Sequence, residues 1–201
     1  MIALVDYGAG NLTSVRKALS ELGAEYWTPT VPGELARAHG IVIPGVGHFD
    51  STRALSKEWR EAIKWEADNR LPVLGICVGL QWLFAGSNEA PAAEGLGLFK
   101  GTCFNLSDFA PGLKVPHVGW NTLEIDRPSA LMHGIESGTQ VYFTHSFAAP
   151  VIAHTAAACE YGVRFSAAVQ DRNVAAVQFH PEKSGDAGLR ILSNFLTRVE
   201  W

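Results

Sequence analysis

The sequence is poor in cysteine, in charge and in long apolar runs, and each shortage excludes a class of protein. Cys77, Cys103 and Cys159 are spaced too widely for a disulfide framework or a set of metal ligands. Charged residues make up 18% of the chain and the net charge is -4, which gives no basic surface for nucleic acid. The longest apolar stretch, residues 71–86, is interrupted by a proline and a glutamine and is too short to cross a bilayer. We therefore expect no binding to nucleic acid or membrane.

No secretion signal is expected at the N-terminal residues, because no basic segment precedes an apolar core. Three unpaired cysteines fit a reducing compartment, so the cytoplasm is the expected location. The histidines other than His180 show no paired spacing, and neither a metal nor a cofactor is expected. A chain of 201 residues with 47% hydrophobic residues suits one domain over residues 1–201.

Strand and helix patterns alternate through the first half. Residues 2–5 and 40–43 are apolar runs typical of strands buried on both faces. Residues 12–22 carry an apolar helical stripe between a possible N-cap at Asn11 and a glycine at position 23. A further helix is expected within residues 50–69, before the strand-like run at 71–76. This order predicts parallel strands joined by right-handed crossovers.

The second half contains short strand-like runs separated by turn residues, and then a closing amphipathic helix within residues 186–200. The whole pattern predicts an α/β fold with a mixed central sheet.

The pattern Gly75-Ile76-Cys77-Val78-Gly79 lies where a strand is predicted to become a helix. It fits the nucleophile elbow, in which the two glycines make room for a tight turn and the central residue is held in a strained conformation. A cysteine there would lie at a helix N-terminus, which favours the thiolate, and the Val78 amide would be free to stabilise an oxyanion. The alternative interpretation is a buried structural cysteine in a glycine-rich turn.

A second motif, "QFHPEKS" at residues 178–184, changes the balance between these interpretations. His180 and Glu182 alternate in what we predict to be extended chain, because Pro181 disfavours a helical conformation for the residue before it. The carboxylate would orient the imidazole, and the imidazole would deprotonate Cys77. Without the cysteine, the motif would indicate only a strand exit with solvated polar groups. The turn "PGVG" at residues 44–47 ends another strand and offers a second oxyanion donor, although alone it indicates only a turn.

Together, Gly-x-Cys-x-Gly and the later His-Pro-Glu resemble the class I (triad) glutamine amidotransferases over the whole chain. The blocks "DYGAGN" (6–11), "PGVG" (44–47), "KVPHVGWN" (114–121) and "VYFTHSF" (141–147) narrow the resemblance to the glutaminase subunits of imidazole glycerol phosphate synthases. This resemblance implies a flavodoxin-like α/β fold with a mixed, mainly parallel sheet and helices on both faces.

The resemblance also implies an activity and a partner. Glutamine would be hydrolysed to glutamate and ammonia, and the ammonia would pass to a cyclase subunit, a (β/α)₈ barrel that forms a heterodimer with this chain. The cyclase would make imidazole glycerol phosphate and an aminoimidazole carboxamide ribotide in histidine biosynthesis. The implied residues are Cys77, His180 and Glu182 for catalysis; Val46, Gly47 and Val78 for the oxyanion hole; Gly45, Gln81, Glu89, Ser146 and Phe147 for glutamine; and Asn11, Trp120, Tyr142 and Lys183 for the partner.

Two positions depart from the family pattern. Phe147 stands where tyrosine is common, so a hydroxyl contact is missing there, and no Gly-Thr pair precedes Gln178. Two other functions stay open: a stand-alone cysteine amidohydrolase or γ-glutamyl peptidase on the same fold, and a binding subunit without catalysis. The complete Cys, His and Glu set argues against a subunit without catalysis.

Overall fold

The structure is a computed structural model that describes residues 1–10, 12–109 and 112–199. Its first strand illustrates how the sequence forms the core. Ile2 and Leu4 pack into one apolar cluster, while Ala3 and Val5 pack into a second cluster on the other face of the sheet. A continuous apolar run is therefore required here, because both faces of the strand are covered.

The strands are β1 (Ile2–Leu4), β2 (Tyr26–Trp27), β3 (Gly40–Ile43), β4 (Val73–Ile76), β5 (Gly86–Ser87), β6 (Thr102–Asn105), β7 (His117–Thr122), β8 (Glu124–Ile125), β9 (Gln140–His145), β10 (Phe147–Ala148), β11 (Thr155–Glu160), β12 (Arg164–Asp171) and β13 (Val174–Val177). The α-helices are α1 (Leu12–Glu21), α2 (Lys57–Asp68), α3 (Val78–Leu83) and α4 (Gly185–Leu196). Short 3₁₀ helices run over Pro32–Arg37, Phe49–Ala54, Leu106–Asp108 and Pro181–Lys183.

Within the described residues, the central sheet has eight strands in the order β2-β1-β3-β4-β13-β12-β11-β8. The strands from β2 to β13 in this order are parallel to their neighbours, whereas β12, β11 and β8 are added in antiparallel pairings. The apolar faces of α1 and α4 share one cluster, and those of α2 and α3 lie in the other. The expected mixed α/β fold with helices on both faces is confirmed.

The parallel strands bring three loops to one edge of the sheet. β3, β4 and β13 are neighbours and point the same way, so their carboxyl ends lie together. β3 leads into residues 44–47, β4 into Cys77, and β13 into Gln178 and His180. In open parallel sheets this edge is the usual position of a ligand site.

Two smaller sheets complete the edge. β7 and β9 form an antiparallel ribbon in which His117 pairs with His145, and β10 pairs with β6. The ribbon carries residues 144–147 toward the carboxyl ends of the central strands, where they line the same pocket as Cys77. Among the described residues no helix is both long enough and apolar enough to cross a bilayer.

Candidate active site

Cys77 occupies a tight turn between β4 and α3 that only glycines permit on either side. A Cβ atom on Gly75 would lie 2.7 Å from the Gly79 carbonyl oxygen, and one on Gly79 would collide with the Ile43 carbonyl oxygen. Cys77 itself has φ 55° and ψ -107°, a left-handed conformation that is rare for residues with side chains. Such strain is typical of a residue that the surrounding structure holds in one orientation for function.

His180 and Glu182 form a buried pair beside this turn. His180 Nδ1 lies 2.8 Å from Glu182 Oε1, and both side chains are only 1% exposed. His180 is extended, as expected, but Glu182 lies in the 3₁₀ helix Pro181–Lys183. The prediction of an alternating extended chain is therefore wrong for Glu182. Pro181 has its φ fixed near the helical value, so it starts the 3₁₀ turn that brings the carboxylate back to the imidazole.

The surroundings of His180 favour its protonated form. Burial alone would lower the pKa of His180, but the interactions with nearby Cys77 and Glu182 outweigh burial and raise the pKa to about 10. Glu182 occupies Nδ1, so Nδ1 carries a proton, and Nε2 is buried with no hydrogen bond to any described residue. Nε2 is therefore the ring atom available to exchange a proton with the Cys77 sulfur.

A pocket of about 230 Å³ opens at Cys77. Its lining includes most of the residues predicted for catalysis, the oxyanion hole and glutamine binding, and three residues that were not predicted, Pro116, Thr144 and His145. The lining residues are Val46, Gly47, Cys77, Val78, Gln81, Glu89, Pro116, Thr144, His145, Ser146 and Phe147. Gly45 lies behind the wall, where a Cβ atom would meet the Tyr7 hydroxyl and the Val78 side chain.

The turn over residues 44–47 does not present an oxyanion donor in this conformation. The Val78 amide donates a long hydrogen bond of 3.4 Å to the Gly45 carbonyl oxygen, so a carbonyl rather than an amide of the turn faces the start of α3. Val46 is 37% exposed, and Gly47 has φ +106° with open space around its Cα. Gly47 thus has the conformational freedom and the open space that a rotation of its peptide group would need.

Two side chains predicted to bind glutamine are held in place by protein hydrogen bonds. Gln81 Nε2 donates to the Phe147 carbonyl oxygen over 2.8 Å, while Gln81 Oε1 is buried with no hydrogen bond to the described residues. Glu89 Oε2 accepts from the Phe49 amide at 2.8 Å. A buried acceptor and an oriented carboxylate therefore face a pocket that contains a thiol.

Sequence reasoning missed a histidine pair, of which His145 lines the pocket and His117 lies next to it. His145 Nδ1 lies 2.9 Å from the Phe147 carbonyl oxygen, and His145 Nε2 lies 3.1 Å from His117 Nδ1. A carbonyl only accepts, so Nδ1 of His145 and then Nδ1 of His117 carry the protons. Burial lowers the pKa of His145 to about 3 and that of His117 to about 4. Both lie in quoted blocks, but only the pairing of β7 with β9 reveals their contact.

Three of the residues predicted to face a partner, Trp120, Tyr142 and Lys183, lie close together. Trp120 is 55% exposed, and its ring meets that of Tyr142 edge-on at 6.1 Å between centroids. Lys183 Nζ lies 5.9 Å from the centre of the Tyr142 ring. Asn11, predicted as an N-cap and as a partner contact, lies outside the described residues.

A family model for class-I glutamine amidotransferases matches residues 3–199 of the chain. The chain belongs to the class I glutamine amidotransferases. Within this family it is similar to proteins named imidazole glycerol phosphate synthase subunit HisH. It is 44% identical to that of Moorella thermoacetica, over 96% of this chain and 93% of the relative, and 43% identical to that of Methanothermobacter thermautotrophicus, over 98% of both. The amidotransferase is thus related over its whole length to subunits of an enzyme.

Solved structures support the same fold. A structure titled as a glutamine amidotransferase superposes with a TM-score of 0.76 at 17% identity, covering 98% of both chains. The structure of PurLQS from Thermotoga maritima also gives a TM-score of 0.76, at 19% identity, covering 99% of this chain and 98% of that one. At this level of identity the likeness concerns the amidotransferase fold alone.

Proposed function

We propose that this amidotransferase hydrolyses glutamine to glutamate and ammonia with Cys77, His180 and Glu182, as one domain over residues 1–201. The ammonia passes to a cyclase subunit, a (β/α)₈ barrel bound as a heterodimer in the cytoplasm. There it serves the synthesis of imidazole glycerol phosphate and an aminoimidazole carboxamide ribotide in histidine biosynthesis. The observation that carries the proposal is the thiol at a strained elbow in a pocket beside a buried imidazole–carboxylate pair, in a chain related to HisH subunits.

The first half of the reaction follows from the positions of these groups. The Cys77 proton moves to His180 Nε2, and the sulfur attacks the side-chain carbonyl carbon of glutamine to form a C–S bond. Glu182 stabilises the imidazolium through Nδ1. His180 then gives its proton to the amide nitrogen, the C–N bond breaks, and ammonia leaves with a γ-glutamyl thioester still on Cys77.

The second half returns the enzyme to its starting state. Water loses a proton to His180 and attacks the thioester carbonyl carbon. The C–S bond breaks, the sulfur recovers its proton, and glutamate leaves. In both halves the negative oxygen needs amide donors, which we assign to Val78 and to the turn at Val46 and Gly47 after it rotates.

Glutamine is proposed to lie among Gln81, Glu89, Ser146 and Phe147. The Gln81 Oε1 atom, buried without a described partner, suits an N–H group of the substrate. Glu89 is assigned to the α-ammonium group because of its charge, and the backbone amides at Ser146 and Phe147 are assigned to the α-carboxylate. Main-chain recognition does not depend on the hydroxyl that Phe147 lacks.

The cyclase is proposed to bind the surface at Trp120, Tyr142 and Lys183, together with Asn11. Val118 supports this proposal. It lies on β7 two residues before Trp120, and the two apolar side chains are 57% and 55% exposed. Exposed aromatic and apolar side chains next to a cation are typical of interfaces. The ammonia would be released close to this surface, since β7 and β9 belong to one ribbon that also reaches the pocket.

The test is the steady-state rate of glutamine hydrolysis by the chain alone, with a cyclase subunit, and with that subunit plus its nucleotide substrate. We expect a low, a slightly raised and a strongly raised rate, in this order. One missing oxyanion donor costs about 10²–10³ in rate, which sets the size of the last increase. An isolated chain that is fully active and indifferent to the cyclase would instead favour the stand-alone hydrolase.

A further inference from the structure

Gln178 lies directly beside the sulfur of Cys77. Its side chain is fully buried, and its Nε2 atom donates a hydrogen bond to Cys77 Sγ over 3.7 Å. The sheet explains this position: Val177 of β13 is level with Ile76 of β4, so the next residues, Gln178 and Cys77, leave two neighbouring parallel strands side by side. The Cys77 amide also donates to the Val177 carbonyl oxygen at 2.8 Å. This hydrogen bond fixes the ends of β4 and β13 side by side.

The orientation of the Gln178 amide is determined by a chain of hydrogen bonds. A main-chain carbonyl only accepts, so the bond of 2.8 Å to the Phe147 oxygen requires Gln81 to present its NH₂ group there. The same nitrogen lies 3.3 Å from Gln178 Oε1. With its oxygen turned to Gln81, Gln178 must turn its own NH₂ group toward the sulfur. The donor beside Cys77 is therefore set by the backbone at Phe147.

The sulfur has different partners in its two protonation states. As a thiol, it donates to the Thr144 carbonyl oxygen over 3.9 Å. As a thiolate, it has no proton to donate, and the Gln178 N–H group is a neighbouring donor that it accepts from, in addition to the protonated His180. Hydrogen bonds to a charged partner are about twice as strong as neutral ones, so this donor favours the thiolate.

We propose that Gln178 is a further catalytic residue, whose fixed N–H group stabilises the Cys77 thiolate and aims the sulfur at the substrate. The inference rests on the proposed hydrolysis of glutamine. When the thiol proton moves to His180 Nε2, negative charge forms on Sγ, and Gln178 keeps its protons throughout. It differs from His180 in remaining neutral at every pH, so it changes the energy of the thiolate without competing for the proton.

Other titratable groups also face the sulfur or the pocket. They are His180 after β13, Tyr7 after β1, Glu89 in the pocket wall and His145 on β9. Burial first, and then the charge of Cys77, raise the pKa of Tyr7. These groups are unchanged in variants of Gln178. A displaced pH profile in such variants would therefore report the loss of the amide donor.

The test compares Gln178→Met, which removes the donor at similar size, with Gln178→Glu, which places a carboxylate there. In the full chain, the rate of Cys77 alkylation by iodoacetamide is followed from pH 5 to 10 by mass spectrometry, because alkylation requires the thiolate. We expect the midpoint of this pH profile to rise by about one unit in Gln178→Met, the size of one hydrogen bond to a charged group. Gln178→Glu should raise it further by repulsion between like charges.

Activity provides the second readout. With the cyclase and its nucleotide present, Gln178→Met should lower kcat/KM for glutamine about tenfold. The matched control is Gln170→Met, since Gln170 is also buried but its amide joins Leu131 and Arg172 rather than the thiol. Gln170→Met should leave the alkylation midpoint unchanged, whatever it does to the melting temperature. If Gln178→Met does not fold, Gln178→Leu, which also removes the donor without adding charge, is measured in its place.

An unchanged midpoint in the folded Gln178 variant, with kcat/KM within twofold of the native value, would overturn the inference. That result is distinguishable from failure of the proposed function. If Cys77→Ala is inactive while Gln178→Met behaves like the native chain, the hydrolysis stands and only the role of Gln178 is lost. If Cys77→Ala still hydrolyses glutamine, both are lost.

Discussion

The two sides of the pocket are held in very different ways. On the side of the nucleophile, Cys77 is 3% and His180 1% exposed. The backbone is packed so closely at Gly75 and Gly79 that a Cβ atom at either position would collide with it. On the side of the oxyanion turn, Val46 is 37% exposed and one hydrogen bond of 3.4 Å links Gly45 to Val78. Packing thus fixes Cys77, His180 and Val78 at the start of α3, whereas Val46 and Gly47 are exposed. We call these the fixed side and the exposed side of the pocket, and the exposed side is where a partner would control the rate.

Removing the nucleophile should have the largest effect. Cys77→Ala should abolish glutamine hydrolysis, because no other nucleophile lies at the elbow. In the proposed complex, synthesis from added ammonia should persist, since the proposed cyclase chemistry lies on the other chain. Both rates are measured in the assembled enzyme.

Cys103→Ala and Cys159→Ala provide the controls. Both thiols are fully buried, and burial is the main reason that their pKa values are raised, Cys159 to about 12. Both variants should keep glutaminase activity. Loss of activity in either, with activity retained in Cys77→Ala, would mean that the wrong thiol has been assigned.

Val46→Pro tests the exposed side, the turn at Val46 and Gly47, because proline has no amide proton to donate to an oxyanion. The rate stimulated by the cyclase and its nucleotide should fall about 10²–10³-fold, while the slow rate of the isolated chain should change little. Val46→Ala keeps the amide and should respond to the cyclase like the native chain. A proline variant that is fully stimulated would show that another group supplies the donor.

Glu182→Gln probes how strongly the fixed side depends on charge. The variant keeps the shape of the carboxylate but weakens stabilisation of the imidazolium. A hydrogen bond to a charged group is worth about 1.5–3 kcal/mol, so kcat should fall by roughly tenfold to a few hundredfold. His180→Asn should lose nearly all activity, because it removes the base itself. If Glu182→Gln has native activity, the triad is a dyad.

The turn at Cys77 and the extended conformation of His180 could be predicted from the sequence, whereas the 3₁₀ turn at Glu182 and the direction of the groups on the exposed side could not. Glycines around a cysteine and a proline between His180 and Glu182 are local signals, because each restricts the backbone at its own position. The direction of the Gly45 carbonyl is not a local property, since a glycine-rich turn admits several rotations of its peptides. The sequence therefore predicted that residues 44–47 form a turn, but not which way its groups face.

The contacts of Gln178 and of the histidine pair could not be predicted from the sequence for another reason. They depend on register between segments distant in sequence: β13 with β4 for Gln178, and β7 with β9 for His117 and His145. The alternation of apolar residues predicts strands without giving their partners. Gln178 was visible within "QFHPEKS", yet only the level of Val177 with Ile76 places its amide at the sulfur.

The smallest expected effect is on the stability of the fold. It depends on a difference between the pKa values of three buried histidines. His180 has its pKa raised to about 10, whereas that of His145 is lowered to about 3 and that of His117 to about 4, from 6.5. Above pH 6.5 both histidines of the pair are neutral in the folded and unfolded chain, so their contribution to stability is complete. As the pH falls below 6.5, both histidines bind protons in the unfolded chain but stay neutral in the folded chain. The free energy of unfolding therefore decreases.

Each histidine of the pair should contribute up to about 1.4 kcal/mol per pH unit to this decrease. The double variant His117→Gln/His145→Gln should start from a lower stability at pH 7, because the hydrogen bonds to Phe147 and within the pair are altered. Its free energy of unfolding in urea should nevertheless depend less on pH between 6.5 and 4.5 than that of the native chain. His133→Gln, at an exposed position, should keep the native slope. Equal slopes in the native chain and the double variant would mean that the pair is not held neutral by burial, and that acid sensitivity originates elsewhere in the fold.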